Sequence, residues 1–377
     1  MSRYLIACGG TGGHLAPGIA LAEELVARGH ECCLLISNKQ IDSRLIQKYP
    51  EFHFERLPGV GLSLNPIRVV NFAWMQLKAL GFALRLIRSF NPDVIFGFGG
   101  YTCVAIAISG AIRGVPVALH EANRVVGRAI RVVGPLARRI YLPAGVRLSR
   151  AGTDRIRYHG FPVRREIHRV GKARARERLG LDPNQKTLLV LGGSQGAVAL
   201  NDWVNRHLEF FAKQEIQIYC VTGPGKGADG VFSLESRNGS TVRAVFTPFS
   251  DNVADLLSAA DLAVARAGAG TIAELIRCRL PAILIPYPHA ADGHQLVNGR
   301  FFEQQGGGLL LEESYIGDLQ REVKEVIFND WLLAQFQKNL ERMDRENTID
   351  RIVRDLDELG REHEDKRRPK SAAPEAA

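Results

Sequence analysis

Two glycine-rich turns, each leaving an apolar strand-like run and opening a helical one, constrain this chain more than any other feature. The first passes from Leu5-Ile6-Ala7-Cys8 into Gly9-Gly10-Thr11-Gly12-Gly13-His14, the second from Leu188-Leu189-Val190-Leu191 into Gly192-Gly193-Ser194-Gln195-Gly196. Glycine tolerates positive φ and lets a ligand come close to the backbone, while the helix that follows offers free N–H groups and a partial positive charge. One such turn is a weak sign of phosphate binding. Two, about 180 residues apart and each starting its own strand–helix alternation, predict an α/β chain of twin nucleotide-type domains facing each other across a cleft. A length of 377 residues also exceeds what one hydrophobic core usually organises.

Short apolar runs alternate with amphipathic ones along both halves, as in βα units around a parallel sheet. Strands are predicted at Tyr4–Cys8, Cys32–Ile36, Phe52–Leu57, Val94–Phe96, Val115–Leu119 and Arg139–Leu142, then at Thr187–Leu191, Ile216–Val221, Val242–Phe246, Leu262–Ala265 and Ala282–Ile285. Helices are predicted at Ala16–Arg28, Asp42–Tyr49, Ile67–Phe90 and Thr102–Arg113, then at Val198–Ala212, Val253–Ala259, Thr271–Arg277 and Gly293–Gln304. The seam falls near Gly160-Phe161-Pro162-Val163-Arg164, giving domains 1–164 and 165–344. A C-terminal helix of about 345–364 is expected to pack back on the first domain, and 365–377, without apolar periodicity, is expected to be disordered.

The six cysteines lie mostly in apolar runs without CxxC spacing, and read as reduced thiols of a cytoplasmic protein. No signal-peptide pattern precedes the first strand. Charge is uneven: residues 1–164 hold 21 Lys and Arg against 9 Asp and Glu, and the rest 28 against 31. Ten arginines but one acid, Asp154, fall within Arg124–Arg164. This implies an anionic partner for the first half, a phosphorylated substrate or an anionic membrane rather than nucleic acid, since no nucleic-acid-binding signature accompanies the arginines. A solvated basic face is the plain alternative. In Ile67–Phe90, Lys78, Arg85, Arg88 and Gly81 argue against a membrane span, and leave either a core helix or an interfacial one inserting Phe72, Trp74, Leu77, Leu80 and Phe82.

His14 closes the first glycine turn at a strand's C-terminal end, where open α/β sheets bind ligands; a general base or a helix cap would both suit that place. Gly97-Phe98-Gly99-Gly100-Tyr101-Thr102 and His120-Glu121-Ala122-Asn123 end two further strands, and together the three strand ends define a crevice. In the second half Ala267-Gly268-Ala269-Gly270-Thr271 opens a helix, with Glu274 read in its first turn as a ribose-binding carboxylate or a helix-dipole partner. Gln295 and Asn298, after Pro286–Gly293, offer placed hydrogen bonds of the kind that recognise a sugar. No G-x-x-x-x-G-K-[ST] occurs, neither turn fits G-x-G-x-x-G, and Asp355-Leu356-Asp357, the one Asp-x-Asp, falls in a helical run rather than at a strand end.

These motifs run in the order found in one group of enzymes. The chain resembles the inverting glycosyltransferases of the B-type, two-Rossmann fold, and within them the MurG family, bacterial N-acetylglucosaminyltransferases that convert lipid I to lipid II in peptidoglycan synthesis. The resemblance rests on Gly9–His14 with Pro17-Gly18, Gly99-Gly100-Tyr101, His120-Glu121-x-Asn123, Gly160-x-Pro162-Val163-Arg164, Gly192–Ala197, Thr271-x-x-Glu274, and His289-Ala290-Ala291-Asp292-x-His294-Gln295 with Asn298. It departs at Thr102–Ala107, at Ala122 and at Arg124, where a small residue is usual.

The resemblance implies a donor site for UDP-GlcNAc made by Gly193, Ser194, Gln195 and Gly196 at the diphosphate, Glu274 at the ribose and Ser250 near the uracil. Ala269, Gly270, Gln295 and Asn298 would surround the sugar, Thr271 would also bind the donor, and Thr11, Gly12, Gly13, Asn123 and Arg164 would complete the site. Gly99, Gly100, Tyr101, His120 and Glu121 would lie on the side of the acceptor, a lipid-linked MurNAc-pentapeptide, with His14 as base or as its positioner. No cofactor and no metal at the diphosphate are implied, and the enzyme would be peripheral on the cytoplasmic face of the inner membrane. The alternatives are a related transferase with another lipid acceptor such as diacylglycerol, and a non-catalytic nucleotide-sugar-binding protein.

Overall fold

The computed structural model describes residues 1–9, 12–37, 45–58, 66–149, 151–193, 195–346 and 349–367, apart from the side chains of 12, 66–73, 346, 366 and 367. Thr11 and Ser194 lie outside the described residues, as do positions 42–44 of the Asp42–Tyr49 helix and 368–377 of the tail. The chain forms two compact units, one of Met1–Ala122, Val126–Pro162 and Thr348–Ala377, the other of Asn123–Val125 and Val163–Asn347. Asn123 and Arg164, which the sequence places in the first domain, pack in the second unit.

The first unit is a seven-stranded parallel sheet of β1 (Arg3–Ala7), β2 (Glu31–Ile36), β3 (His53–Arg56), β4 (Val94–Gly97), β5 (Val117–His120), β6 (Arg139–Leu142) and β7 (Ile156–Tyr158), in the order β3-β2-β1-β4-β5-β6-β7. Its helices are α1 (Gly12–Ala27), α2 (Pro66–Phe90), α3 (Gly100–Arg113) and α4 (Arg128–Val133). Strand side chains alternate between two cores, as the period of two demands. Leu5 and Ala7 face one core with Ala79, Ala83 and Ile87 of α2 and Cys103, Ile106 and Ala107 of α3. Tyr4, Ile6 and Cys8 face the other, with Leu15, Ile19 and Ala22 of α1 and Ile352, Val353, Leu356 and Leu359 of the last helix. The spacing 79, 83, 87 puts one stripe of α2 on the sheet and leaves Trp74 and Leu77 exposed; Phe82 packs against the core.

The second unit repeats the plan with β8 (Lys186–Leu191), β9 (Ile216–Val221), β10 (Gly230–Glu235), β11 (Thr241–Thr247), β12 (Leu262–Ala265), β13 (Ala282–Leu284) and β14 (Gly308–Leu310). Their order is β10-β11-β9-β8-β12-β13-β14, parallel except for the β10–β11 hairpin at one edge. The helices are α5 (Lys172–Arg178), α6 (Val198–Lys213), α7 (Val253–Ala259), α8 (Ala269–Cys278), α9 (His294–Gln304), α10 (Leu319–Ile327) and α11 (Asp330–Glu346). The last helix, α12 (Ile349–Arg367), returns to the first unit and runs three residues past the helix end expected at 364.

In both sheets the strand order reverses beside the first strand, between β1 and β4 and between β8 and β12. Loops at the carboxyl ends diverge at such a point and leave a crevice for a ligand. The six cysteines are free and buried. No described helix is long and apolar enough to cross a membrane.

Candidate active site

In the first unit the ends of β1, β4 and β5, neighbours in the sheet, bring the predicted acceptor-side residues together. Gly99 is the N-cap of α3 at φ 95° and Gly100 follows at φ 72°, a left-handed pair that glycine adopts without strain. A Cβ on Gly100 would sit 3.3 Å from His14 Nδ1 and 3.2 Å from the Gly9 carbonyl, so the missing side chain makes room for the imidazole. Thr102 Oγ1 donates to the Gly9 carbonyl at 2.9 Å and ties the two glycine turns together. Sequence reasoning missed that role; its one signal was a small hydroxyl in the first turn of a glycine-capped helix. His14 is the third residue of α1, inside its first turn.

His120 is 2 % exposed and packs beside Phe98 and Phe161, with ring centroids 5.3 and 6.0 Å away. Its Nε2 lies 3.2 Å from the Gly160 carbonyl, an acceptor, which assigns the proton to Nε2. Burial pushes its pKa down from 6.5 to about 4; the Gly160 bond opposes this and His14 adds to it. His120 is thus a neutral, fixed ring. Glu121, also buried, accepts the Gly127 N–H at 2.6 Å through Oε2, closing the loop that carries Asn123. Tyr101 stands half-buried in the first turn of α3.

In the second unit two glycine-rich turns flank the reversal point. A Cβ on Gly192 would meet the Ala197 nitrogen at 2.3 Å, and one on Gly196, at φ 69°, would meet the Thr222 carbonyl at 2.2 Å. Only glycine permits so tight a turn. It delivers α6 from Ala197, and α8 starts from Gly268; neither helix has a side-chain cap, and nor does α3. The usual Ser, Thr, Asp or Asn is absent from the N-cap positions of these three helices, and helix starts of this kind can bind an anion. Gly193 and Gln195 are exposed beside α6, and Ala269, Gly270 and Thr271 form the first turn of α8.

Glu274 is the sixth residue of α8 and so lies in its second turn, a correction to the first-turn reading. It is partly buried, with Arg164 Nη2 3.5 Å away. Burial pushes its carboxyl up; Arg164 opposes the shift, and Glu166 reinforces it. Arg164 also pairs with Glu166 at 2.6 Å, so its guanidinium is shared between two carboxylates. Ser250 is half-buried after β11 and accepts the Asn252 N–H at 3.2 Å through Oγ. Gln295 Oε1 accepts the Tyr287 N–H at 2.9 Å, which braces the loop after β13.

Asn298, expected at the sugar, is buried and held by three hydrogen bonds. It is 3 % exposed, and Nδ2 donates to the Ala267 carbonyl at 3.2 Å and to Asn123 Oδ1 at 3.1 Å, while Oδ1 accepts the Arg124 N–H at 3.0 Å. The amide thus ties Ala267, Asn123 and Arg124 together within the second unit. Buried Arg266 has a similar duty: Nη1 donates to the Ile285 and Pro286 carbonyls at 3.2 Å each, and Nη2 pairs with Glu313. Among the described residues no group of three or more His, Cys, Asp or Glu side chains converges.

The chain matches two family descriptions in sequence, the glycosyltransferase family 28 N-terminal domain over residues 4–142 and the family 28 C-terminal domain over residues 187–354. It is 52% identical over 363 residues, 96% of each chain, to a UDP-N-acetylglucosamine--N-acetylmuramyl-(pentapeptide) pyrophosphoryl-undecaprenol N-acetylglucosamine transferase of Opitutus terrae. A protein of the same description from Desulforamulus reducens is 31% identical, over 95% of this chain and 98% of its own. In fold, the chain is similar to MurG of Acinetobacter baumannii, with a TM-score of 0.66 and 22% identity over 90% of this chain and 94% of that one. The calicheamicin glycosyltransferase CalG4 shares the fold at a TM-score of 0.66 and 12% identity, over 95% and 98% of the two chains.

Proposed function

The chain belongs to the MurG family of family 28 glycosyltransferases, and from that premise we infer that it transfers GlcNAc from UDP-GlcNAc to the C4 hydroxyl of undecaprenyl-pyrophosphoryl-MurNAc-pentapeptide, turning lipid I into lipid II. The observation that carries the site assignment is the pair of uncapped helix N-termini, α6 and α8, on either side of the reversal point of the second sheet. They suit the UDP diphosphate. As the sugar–phosphate bond breaks, charge grows on the leaving oxygen, and fixed N–H dipoles stabilise it without reorganising. Glu274 takes the ribose hydroxyls, with Ser250 toward the uracil and Ala269, Gly270, Thr271 and Gln295 toward the sugar.

The reaction is one displacement. The acceptor oxygen bonds to C1 of GlcNAc, the C1–O bond to UDP breaks with inversion, and the hydroxyl proton passes to a base. We assign that base to His14, which the Gly99–Gly100 turn seats at the end of β1 and β4. Burial leaves the neighbouring His120 neutral, and the Gly160 bond fixes its ring, which suits it to positioning. His14→Ala is expected to lower kcat by about 10²–10⁴-fold with a smaller change in KM for the donor. Near-parental turnover would reduce His14 to a packing residue.

The first unit also carries the proposed membrane contact. Trp74 and Leu77 are exposed on α2 beside exposed Lys78, Arg85 and Arg88, and Ile112 and Val132 are exposed on α3 and α4. Apolar groups among cations suit an anionic bilayer, with the protein peripheral on the cytoplasmic face of the inner membrane. Assaying UDP release with lipid I, with diacylglycerol and with no acceptor tests the whole reading. Turnover with lipid I alone is expected; turnover with diacylglycerol, or none with either, would replace it.

A further inference from the structure

The side chain of Arg124 finds a partner in Phe301. The guanidinium carbon lies 3.6 Å from the centroid of the Phe301 ring. A cation over an aromatic face counts as paired out to about 6 Å, so this one sits over the ring at contact distance. The backbone N–H of Arg124 bonds Asn298 at 3.0 Å, and Asn123 Oδ1 accepts from the same amide at 3.1 Å. Asn298 and Phe301 are three residues apart on α9, hence on one face of it. The segment Asn123–Val125, part of the second unit, is therefore held to α9 at two points. The contact with Phe301, one turn from Asn298, adds a second hold on the segment.

We propose that Arg124 and Phe301 form a stacked positioning pair that seats Asn123 for the UDP-sugar. The inference rests on the donor-site reading for the role of Asn123, while the pair itself rests on contacts among Asn123, Arg124, Asn298 and Phe301. Asn298 passes the same constraint to Ala267, the residue before the N-cap of α8, through its 3.2 Å bond to that carbonyl. The stack thus steadies the start of the uncapped helix as well as Asn123. An ammonium cannot lie flat on a ring as a guanidinium does, so lysine would keep the charge and lose the seat.

The test uses the full chain and five variants: Arg124→Ala, Arg124→Lys, Phe301→Leu, Phe301→Tyr and the double Arg124→Ala/Phe301→Leu. Steady-state kinetics with UDP-GlcNAc are paired with hydrogen–deuterium exchange of the peptide spanning 122–126. Arg124→Ala and Phe301→Leu are expected to raise KM for the donor by about three- to tenfold with kcat within about twofold, and to speed exchange at the Arg124 amide. Phe301→Tyr should keep parental values, Arg124→Lys should resemble Arg124→Ala, and the double variant should be no worse than either single one. Parental KM in both single variants, rescue by lysine, multiplied losses in the double variant, or unchanged exchange would each overturn the pair. Should Phe301→Leu fold poorly, judged by its melting curve, Phe301→Tyr and the two Arg124 variants still decide. A parent protein that binds no UDP-GlcNAc by calorimetry would sink the donor-site reading instead, and exchange would still judge the stack.

Discussion

Burial raises the Glu274 carboxyl against the pull of Arg164 3.5 Å away, so the folded surroundings favour its protonated form more than water does. The folded state then binds this proton more tightly than the unfolded one. The group costs stability above its folded pKa, and the cost fades as pH falls through the carboxylate range. Glu274→Gln is therefore expected to melt no lower than the parent at pH 7, with any advantage shrinking toward pH 4. Its affinity for UDP-GlcNAc should fall roughly ten- to hundredfold, the value of about 1.5–3 kcal/mol for a hydrogen bond to a charged group. Parental affinity would remove Glu274 from the donor site. His120 has the opposite sign. Its pKa is pushed down from 6.5 to about 4, so its contribution is complete above 6.5 and is lost as pH falls toward 4, at about 1.4 kcal/mol per unit of pH. Urea unfolding across that interval should be less acid-sensitive in His120→Gln, which keeps a donor for the Gly160 carbonyl; parallel curves would clear His120. Glycines and uncapped helix starts were legible in the sequence because local geometry alone demands them. The hydrogen bonds of Asn298 were not, since its partners Ala267, Asn123 and Arg124 reach it only through tertiary packing.

At the scale of elements, α12 does the work of a core helix although it follows the whole second unit. Ile352, Val353, Leu356 and Leu359 pack on the face of the first sheet that α1 shares. Its polar side is anchored too: the Tyr4 hydroxyl donates to Asp357 at 2.8 Å, the Tyr141 hydroxyl donates to Asp355 at 2.7 Å, and Arg139 meets Asp355 at 3.1 Å. Leu356→Ala is expected to cost about 2–5 kcal/mol in urea unfolding of the first unit, the range for a buried leucine. A loss below about 1 kcal/mol would make α12 an accessory. The strands that sequence located, such as β6, β9 and β12, are apolar runs bounded by turn residues. Those it missed lack that signal: β7 and β14 have three residues each, and β10 is an edge strand with Val231, Phe232 and Ser233 exposed. The short helix α4 was hidden in an arginine-rich stretch that periodicity could not resolve.

For the molecule as a whole, the surplus of 12 positive charges in residues 1–164 is the largest long-range feature. Each Lys or Arg near an anionic bilayer contributes about 1 kcal/mol, and that attraction is screened by salt, whereas insertion of Trp74 and Leu77 is not. The parent is expected to sediment with vesicles containing anionic lipid at low salt, to be stripped only in part by high salt, and to bind less after Trp74→Ser and Leu77→Ser together. A parent that ignores such vesicles at low salt would leave α2 as a core helix alone. Fold class and family were open to sequence at this scale because seven separated motifs keep one order, each fixed by its own strand end. The placement of α12 sets an order of assembly on the ribosome. Apart from Asn123–Val125, made earlier, the second unit is one run from Val163 to Asn347 and can close as soon as that run emerges. The first sheet must wait, one apolar face incompletely covered, until the end of α12 has left the exit tunnel. The unit whose first strand is made first is therefore the last to mature.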